Sequence, residues 1–210
     1  VVRDTFEDSV FFRPPFFALG LGMESQAVRQ VVDNGMLEVS FKTPADVVLC
    51  ASVLCAGREL PGQYALAQRE GASCTVQAAF PAAGRYVVRV FGKRKGDPDS
   101  YECAVEIPVE ARSGVGEQAG FPQVLSAFNE RGIVLRSPLK GRLDTGKSAD
   151  FRLEAPGAEQ VAVLVGEQWS FLTRDGDWFR GAVPVGAGAV RVVGKYPGKE
   201  SCEVLLQYNS

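Results

Sequence analysis

The sequence predicts an all-β fold of two tandem antiparallel β-sandwich modules, and three observations support this fold class. Short runs rich in β-branched and aromatic residues follow one another along the 210 residues, separated by Gly, Pro and Asp turn signals. No segment combines a sustained helical period with helix-capping residues. A strand–loop–strand pattern near residue 100 returns near the end of the chain.

The first module is predicted over residues 1–112, with an extended entry segment. Pro14 and Pro15 favour an extended chain there, and a first strand is predicted within Pro15–Met23. The remaining strands are predicted at Met36–Lys42, Asp46–Leu54, Gln63–Glu70, Ala72–Phe80, Arg85–Gly92 and Tyr101–Val109. Six or seven short strands in about 100 residues are typical of a β-sandwich.

The second module is predicted over residues 121–210, after a small, polar and glycine-rich linker at residues 113–120. Its strands are predicted at Gly132–Pro138, Ser148–Pro156, Glu159–Gly166, Gln168–Asp175, Asp177–Val185, Ala189–Lys195 and Ser201–Tyr208.

Two hairpins indicate that the second module is a copy of the first. "VVRVFGKRKGDPDSYECAVEIPVE" (87–110) and "AVRVVGKYPGKESCEVLLQY" (189–208) share an apolar strand, a Gly-Lys pair, a polar loop and a second apolar strand. Pro44 also aligns with Pro156. The sequence therefore predicts a tandem duplication of one sandwich.

Composition excludes several function classes. The net charge of −2 argues against a nucleic-acid or anionic-membrane surface, which requires a basic excess. The chain contains no histidine, which removes Ser-His-Asp, Cys-His and His-ligated zinc chemistry. No apolar run approaches the roughly 20 residues that span a bilayer, and the N-terminal residues do not resemble a signal peptide.

Five cysteines, an odd number without regular spacing, favour a reducing, cytoplasmic compartment. One buried disulfide between Cys74 and Cys103 remains the alternative. Strand alternation places Cys74, Cys103 and Cys202 among apolar neighbours, which predicts buried and inert thiols.

The charged hairpin loops are the first candidate partner-binding site. The candidates are Lys93, Arg94, Lys95, Asp97 and Asp99 in one copy, and Lys195 and Lys199 in the other. Loops at the end of a sandwich often carry recognition surfaces. The favoured interpretation is nevertheless a solvated turn, because the two copies differ in charge. They share Gly92 with Gly194 and Ser100 with Ser201, interpreted as turn and strand-start residues.

The second candidate is an aromatic cluster on one predicted hairpin: Trp169, Phe171, Trp178 and Phe179. An exposed cluster would dock a protein or stack a sugar. The favoured interpretation is core filling, with one of the two tryptophans partly exposed.

No cofactor or metal is expected. The pairs Asp97/Asp99 and Asp175/Asp177 could contribute loop oxygens to Ca²⁺, but each lacks the ligand count of a dedicated site. The phosphate-binding glycine loop, CxxC and HExxH motifs are also missing. An enzyme without histidine would need a buried carboxylate pair or a lysine.

Several stretches resemble one known family. They are "VFFRPPFFALGLGMESQ" (10–26), "NGMLEVSFKTP" (34–44) and "FPQVLSAFNERGIVLRSPLKGRL" (121–143), followed by the Phe151–Ala158 step into an apolar strand. These are similar to the region that follows the catalytic domain in the kyphoscoliosis-peptidase and hillarin family of transglutaminase-like proteins. The resemblance implies that the two modules are a tandem of immunoglobulin-like sandwiches. It also implies a papain-like Cys-His-Asp domain placed before them, and association with the actin cytoskeleton and filamin-type partners.

The sequence therefore predicts a non-catalytic, intracellular protein-interaction and spacer region. Its expected partners are proteins, either cytoskeletal or the upstream catalytic domain, rather than nucleic acid or membrane. An extracellular adhesion or carbohydrate-binding tandem is the alternative. That alternative predicts a disulfide and an exposed aromatic platform.

Overall fold

The computed structural model describes residues 9–24, 30–98 and 100–210. The chain divides into two compact units, Val1–Glu117 and Gln118–Ser210. The division falls within residues 113–120, which the sequence assigns to the linker. One candidate from the sequence, Asp99, lies outside the described residues.

The first unit is a sandwich of two sheets. Its strands are β1 (Phe11–Phe12), β2 (Gly22–Met23), β3 (Gln30–Val32), β4 (Met36–Lys42), β5 (Val47–Cys55), β6 (Arg58–Glu59), β7 (Ala65–Glu70), β8 (Ser73–Ala79), β9 (Gly84–Arg94) and β10 (Glu102–Ala111), with helix α1 (Pro14–Ala18) and a 3-10 turn at Gly62–Tyr64. One sheet has the order β1-β10-β9-β5-β6, with β3 parallel to β10, and the other has the order β2-β4-β8-β7.

The second unit repeats this plan. Its strands are β11 (Gln123–Val124), β12 (Val134–Ser137), β13 (Ser148–Glu154), β14 (Gln160–Val165), β15 (Gln168–Phe171), β16 (Thr173–Asp175), β17 (Trp178–Pro184), β18 (Val190–Lys195) and β19 (Glu203–Tyr208), with helix α2 (Ser126–Arg131). The sheets have the orders β11-β19-β18-β14-β15 and β12-β13-β17-β16.

Each core lies between its two sheets and follows strand alternation. In β4, Leu37, Val39 and Phe41 are buried while the residues between them are exposed or half-buried. In β13, Phe151 and Leu153 are buried in the same way. This pattern, with mostly antiparallel pairing in two packed sheets, confirms the predicted all-β, immunoglobulin-like fold class.

The duplication extends to an irregularity in the last strand of each unit. The register between β9 and β10 shifts between Cys103 and Val105. The register between β18 and β19 shifts at the matching place, so that Leu205 is the extra residue. Ala104 and Leu205 are both fully buried. A bulge turns the strand and changes which residues face inward.

The predicted strand within Pro15–Met23 is wrong for its first half, which forms helix α1. Pro14 and Pro15 occupy the first helical turn, where a missing N–H costs nothing. Arg13 before them is extended, as a residue preceding proline prefers. The short strand β2 retains the end of the predicted segment.

Helix α2 is the matching element of the second unit, and the sequence did not predict it. Phe16 and Phe128 are both buried. The carbonyl of Phe16 accepts a hydrogen bond from the N–H of Leu21, and the carbonyl of Phe128 accepts one from the N–H of Ile133, both at 3.0 Å. Gly20 and Gly132, with φ of +69° and +67°, end the two helices in the left-handed region that favours glycine.

Candidate functional site

Two charges of the first hairpin loop, those of Arg94 and Lys93, contact groups of their own unit. Arg94 forms a salt bridge with Asp46, and its guanidinium holds the pKa of the Asp46 carboxyl below its usual value. Lys93 lies 4.9 Å above the centre of the Tyr101 ring. The Lys95 backbone N–H donates to the Asp46 carbonyl at 2.6 Å. Asp97 lies in the loop after β9.

The second hairpin loop is also held internally, with different partners. Lys195 donates from Nζ to the carbonyl oxygens of Lys199 and Glu200, the latter at 2.8 Å. Lys199 Nζ lies 3.8 Å from a carboxylate oxygen of Glu203. The structure therefore gives both loops a structural role, and their part in partner binding stays a prediction.

Gly92 and Gly194 are packing glycines, so their interpretation as turn residues is wrong. Both lie inside strands and are buried. A Cβ on Gly92 would lie 2.7 Å from Leu19 Cδ1, and a Cβ on Gly194 would lie 2.9 Å from Tyr196 Cε2. The repeated Gly-Lys pair therefore reflects a crowded position in each sandwich.

Trp178 is half-buried on the outer face of its sheet, where its ring contacts the guanidinium groups of two arginines. The guanidinium carbons of Arg152 and Arg136 lie 5.1 Å and 5.9 Å from its ring centre. These distances suit cation–π contact. Its neighbour Phe179 is buried in the core, as the core-filling interpretation predicts.

Trp169 and Phe171 are both exposed. Trp169 is thus the partly exposed tryptophan that the core-filling interpretation includes, whereas core filling is wrong for Phe171. Their side chains are 49% and 64% accessible, among the most exposed large apolar residues that the structure describes. The two rings stack with centres 6.2 Å apart and planes 23° from parallel. The predicted strand Gln168–Asp175 divides at the buried Leu172, where the chain passes from β15 in one sheet to β16 in the other.

Strand β15 is also an edge of its sheet, and Trp169 and Phe171 direct their backbone groups away from that sheet. Leu172 donates its N–H to the Val161 carbonyl at 2.9 Å, and Ser170 lies opposite Val163. In an antiparallel ladder the bonded residues alternate. The N–H and C=O groups of Trp169 and Phe171 therefore point toward the open edge.

In the first unit, a different kind of strand lies at the equivalent edge of the sheet. Its edge strand β6 consists of Arg58 and Glu59, both exposed, and Pro61 follows shortly after. A short, charged edge bounded by proline resists pairing with another chain. At this position of the sheet, the open aromatic edge is thus found in the second unit and not in the first.

A separate aromatic group lies at the start of the first unit. Phe11, Phe12 and Phe17 are 45%, 38% and 68% exposed. Phe12 and Phe17 pack against the buried Phe16, with ring centres 4.6 Å and 5.3 Å away, and their planes are tilted or edge-on. These rings surround helix α1 and do not form a parallel stack. Only Phe17 of the three lies within the predicted first strand, at a place where the structure has helix α1.

All five cysteines are free thiols, so Cys74 and Cys103 are not bonded in this structure. Cys74 is buried, and burial raises its pKa to about 12; burial has the same effect on Cys50. The prediction of burial is wrong for Cys202, which is exposed ahead of β19. Cys103 is half-buried because the bulge after it changes the alternation of β10.

Among the residues that the structure describes, no group of three acidic, cysteine or histidine side chains could hold a metal ion. In the same part of the chain, no helix is long and apolar enough to cross a membrane.

Sequence comparison agrees with this geometry. Residues 3–122 match the family described as the KY-like, immunoglobulin-like domain, which is more than half of the chain. The chain belongs to this family. The resemblance to a KY-family immunoglobulin-like region is thereby confirmed, and the family supports a non-catalytic interaction region. No curated protein matches the chain.

Solved structures with similar architecture share little sequence with this KY-like chain. Fibronectin(III)-like modules of Clostridium thermocellum CbhA are 11% identical, covering 90% of this chain and 94% of theirs, with a TM-score of 0.30. The titin immunoglobulin tandem A164–A165 is 11% identical, covering 89% of this chain and 94% of its own, with a TM-score of 0.25. SGBP-B of the Bacteroides ovatus mixed-linkage glucan utilization locus, solved in complex with a mixed-linkage heptasaccharide, is 13% identical, covering 96% of this chain and 47% of its own, with a TM-score of 0.28.

Proposed function

We propose that this chain is the non-catalytic docking and spacer region of an intracellular, cytoskeleton-associated transglutaminase-like protein. The observation that carries the docking role is the exposed, stacked pair Trp169 and Phe171 on the open edge β15. Large aromatic side chains are the usual anchors of protein interfaces, because they bury much apolar area with few rotatable bonds.

The intracellular location is supported by the thiols. Five free cysteines, one of them exposed, fit a reducing compartment better than a secreted protein. Thiol titration of the purified, denatured protein without reductant tests this point. Five titrated thiols support the proposal, whereas three titrated thiols would indicate one disulfide and an oxidising compartment.

The transglutaminase context is supported by the sequence resemblance and by the KY-like family match. The coding sequence upstream of Val1 provides the test. A domain with Cys, His and Asp in papain-like order directly before this region is the expected result. Unrelated sequence there would remove the transglutaminase context and leave the docking role standing.

The docking role is tested by comparing three forms of the full chain. The double variant Trp169→Ser/Phe171→Ser removes the aromatic pair, and Leu139→Ser removes another exposed apolar residue of the same unit as a matched control. Each form is used to capture proteins from a cytoskeletal extract, and any protein lost with the double variant is purified and tested again. A binder that the double variant loses and the control keeps supports the proposal. A set of binders that is identical for all three forms contradicts it.

Carbohydrate binding by the same aromatic pair is the second candidate function. Flat stacked rings at a surface can hold a sugar ring. Titration with oligosaccharides, followed by the fluorescence of Trp169, distinguishes the two roles. Quenching that saturates favours sugar binding, and an unchanged spectrum favours protein docking.

A further inference from the structure

The edge strand β15 offers a specific set of hydrogen-bonding groups besides its aromatic side chains. Trp169 and Phe171 each direct one N–H and one C=O away from β14, as the bond from Leu172 to Val161 and the alternation of the ladder require. Within the described residues, β15 pairs with β14 only. Four backbone groups therefore lie in a row along the edge.

The aromatic side chains stand beside these groups on one face. Successive residues of a strand alternate between faces, so Trp169 and Phe171 share a face while Ser170 points to the other. Across the ladder, Trp169 lies opposite Leu164 and Phe171 lies opposite Ala162. A strand added on the open side would meet the same two rings with its own alternate side chains.

Three other edge strands among the described residues, β6, β16 and β1, lack this combination. Strand β6 has two charged residues, and β16 carries Thr173, Arg174 and Asp175. Strand β1 has exposed phenylalanines but only two residues, which limits the length of any added ladder. Strand β15 alone among these combines four residues with a stacked apolar pair.

We propose that β15 binds an extended segment of a protein partner as an added β-strand. The segment would pair its backbone with Trp169 and Phe171 and place two apolar side chains, two residues apart, against the two rings. Main-chain bonds supply affinity and the alternate side chains supply specificity in this mode of recognition. The inference rests on the proposed docking function and specifies the partner's conformation and side-chain pattern.

A random decapeptide library displayed on phage, panned against the full chain, provides the probe. Peptides that also bind the Trp169→Ser/Phe171→Ser variant are discarded, and Leu139→Ser serves as the control. The expected peptides contain two apolar residues at positions i and i+2. In their presence, hydrogen exchange of the Trp169 and Phe171 amides slows at least tenfold, while the Ser170 amide, already bonded within the sheet, is unchanged.

Methylation of the peptide backbone separates strand addition from side-chain docking. Strand addition predicts that N-methylation at alternate residues weakens binding at least tenfold, while N-methylation at the residues between them has little effect. Peptides that need the aromatic pair but tolerate N-methylation everywhere, and that leave the Trp169 and Phe171 amides unprotected, overturn strand addition and retain docking. If the library yields no peptide that depends on the aromatic pair, both the inference and the docking function fail.

Discussion

Gly92 and Gly194 occupy equivalent positions in β9 and β18, and neither position has room for a side chain. The neighbours of Gly194 are the buried Tyr196 and Leu205, whose atoms would lie 2.9 Å and 3.3 Å from an added Cβ. Contacts this short force the surrounding core to move. The glycine is therefore a packing requirement, and the loop after it is free to change its charges between copies.

We expect Gly194→Ala to lower the free energy of unfolding of the second unit by about 1–3 kcal/mol, a typical cost of overpacking. Urea unfolding followed by tryptophan fluorescence measures this directly, because both tryptophans, Trp169 and Trp178, lie in the second unit. Gly62→Ala in the first unit is the control, since nothing lies within 4 Å of its added Cβ; because that unit contains no tryptophan, its unfolding is followed by circular dichroism. An unfolding midpoint for Gly194→Ala equal to that of the wild type would contradict the packing account.

The cysteines differ in reactivity because burial suppresses the thiolate. Cys202 is exposed, whereas Cys50 and Cys74 have pKa values raised by burial to about 12. In the native protein at pH 8 we expect a disulfide reagent such as Ellman's reagent to modify Cys202 first and Cys74 only after unfolding. Mass spectrometry of partly modified protein identifies the site. Early modification of Cys74 would show that the core of the first unit opens readily.

A bidentate ion pair between Arg131 and Glu203 connects helix α2 to β19. Arg131 donates from two nitrogens to both carboxylate oxygens of Glu203, each at 2.9 Å, and its guanidinium also lies 4.2 Å above the Tyr196 ring. These hydrogen bonds from Arg131 hold the pKa of Glu203 below its usual value of 4.5. The pair connects the helix at the start of the unit with its final strand.

The pH dependence of this pair has a definite sign. A carboxyl whose pKa is lower in the folded state stabilises the fold above its unfolded pKa, and the contribution disappears as pH falls through the folded pKa. We expect Glu203→Gln to destabilise the second unit by about 1 kcal/mol at pH 7, since the pair is partly exposed. The difference in the free energy of unfolding between the wild type and Glu203→Gln should disappear as the pH falls well below 4.5. Glu200→Gln, in the loop just before β19, is the control, and a deficit of Glu203→Gln that persists in acid would contradict this assignment.

Strand positions were largely predictable from sequence, while the two short helices and the two bulges were not. Alternation in β4 and β13 identifies the buried side of each strand, because one face is apolar and the other polar. Helices α1 and α2 contain five and six residues, too few for a helical period to appear. The bulges at Ala104 and Leu205 break the alternation within a strand, which is why Cys103 was assigned to the wrong face.

The exposure of Trp169 and Phe171 could not be predicted from the sequence, for a different reason. The sequence places Trp169 and Phe171 on one face of a strand, but it does not say which face is buried. The answer depends on the crossing at Leu172, which sends β15 to one sheet and β16 to the other. Leu172 enters the core, and the aromatic residues before it lie outside.

At the scale of the whole molecule, the chain is two copies of one sandwich with the boundary between Glu117 and Gln118. Each copy has its own core and its own pair of sheets. We expect residues 1–117 and 118–210 to fold when produced separately, each with the circular dichroism of a β protein. The unfolding midpoint of residues 118–210, followed by tryptophan fluorescence, should match that of the full chain. A fragment without a cooperative unfolding transition would contradict this independence.

Comparison of the two units also distinguishes the features that stabilise both sandwiches from the edge strand that we propose to bind a partner. The closing hairpins, the packing glycines and the helix–glycine turns are shared, whereas the edge at β6 is charged and the edge at β15 is aromatic. Shared features maintain the sandwich in both units. The difference in the edges is the reason that we propose the second unit as the one that binds a protein partner.

The affinity of a purified partner for three forms of the full chain tests the central claim most directly. Isothermal titration calorimetry would compare the wild type, Trp169→Ser/Phe171→Ser and Leu139→Ser. Loss of two aromatic anchors is expected to weaken binding by roughly 100-fold, about 2.7 kcal/mol, while Leu139→Ser stays within about twofold of the wild type. Equal dissociation constants for the wild type and the double variant would contradict the account, because docking would then occur elsewhere on the molecule.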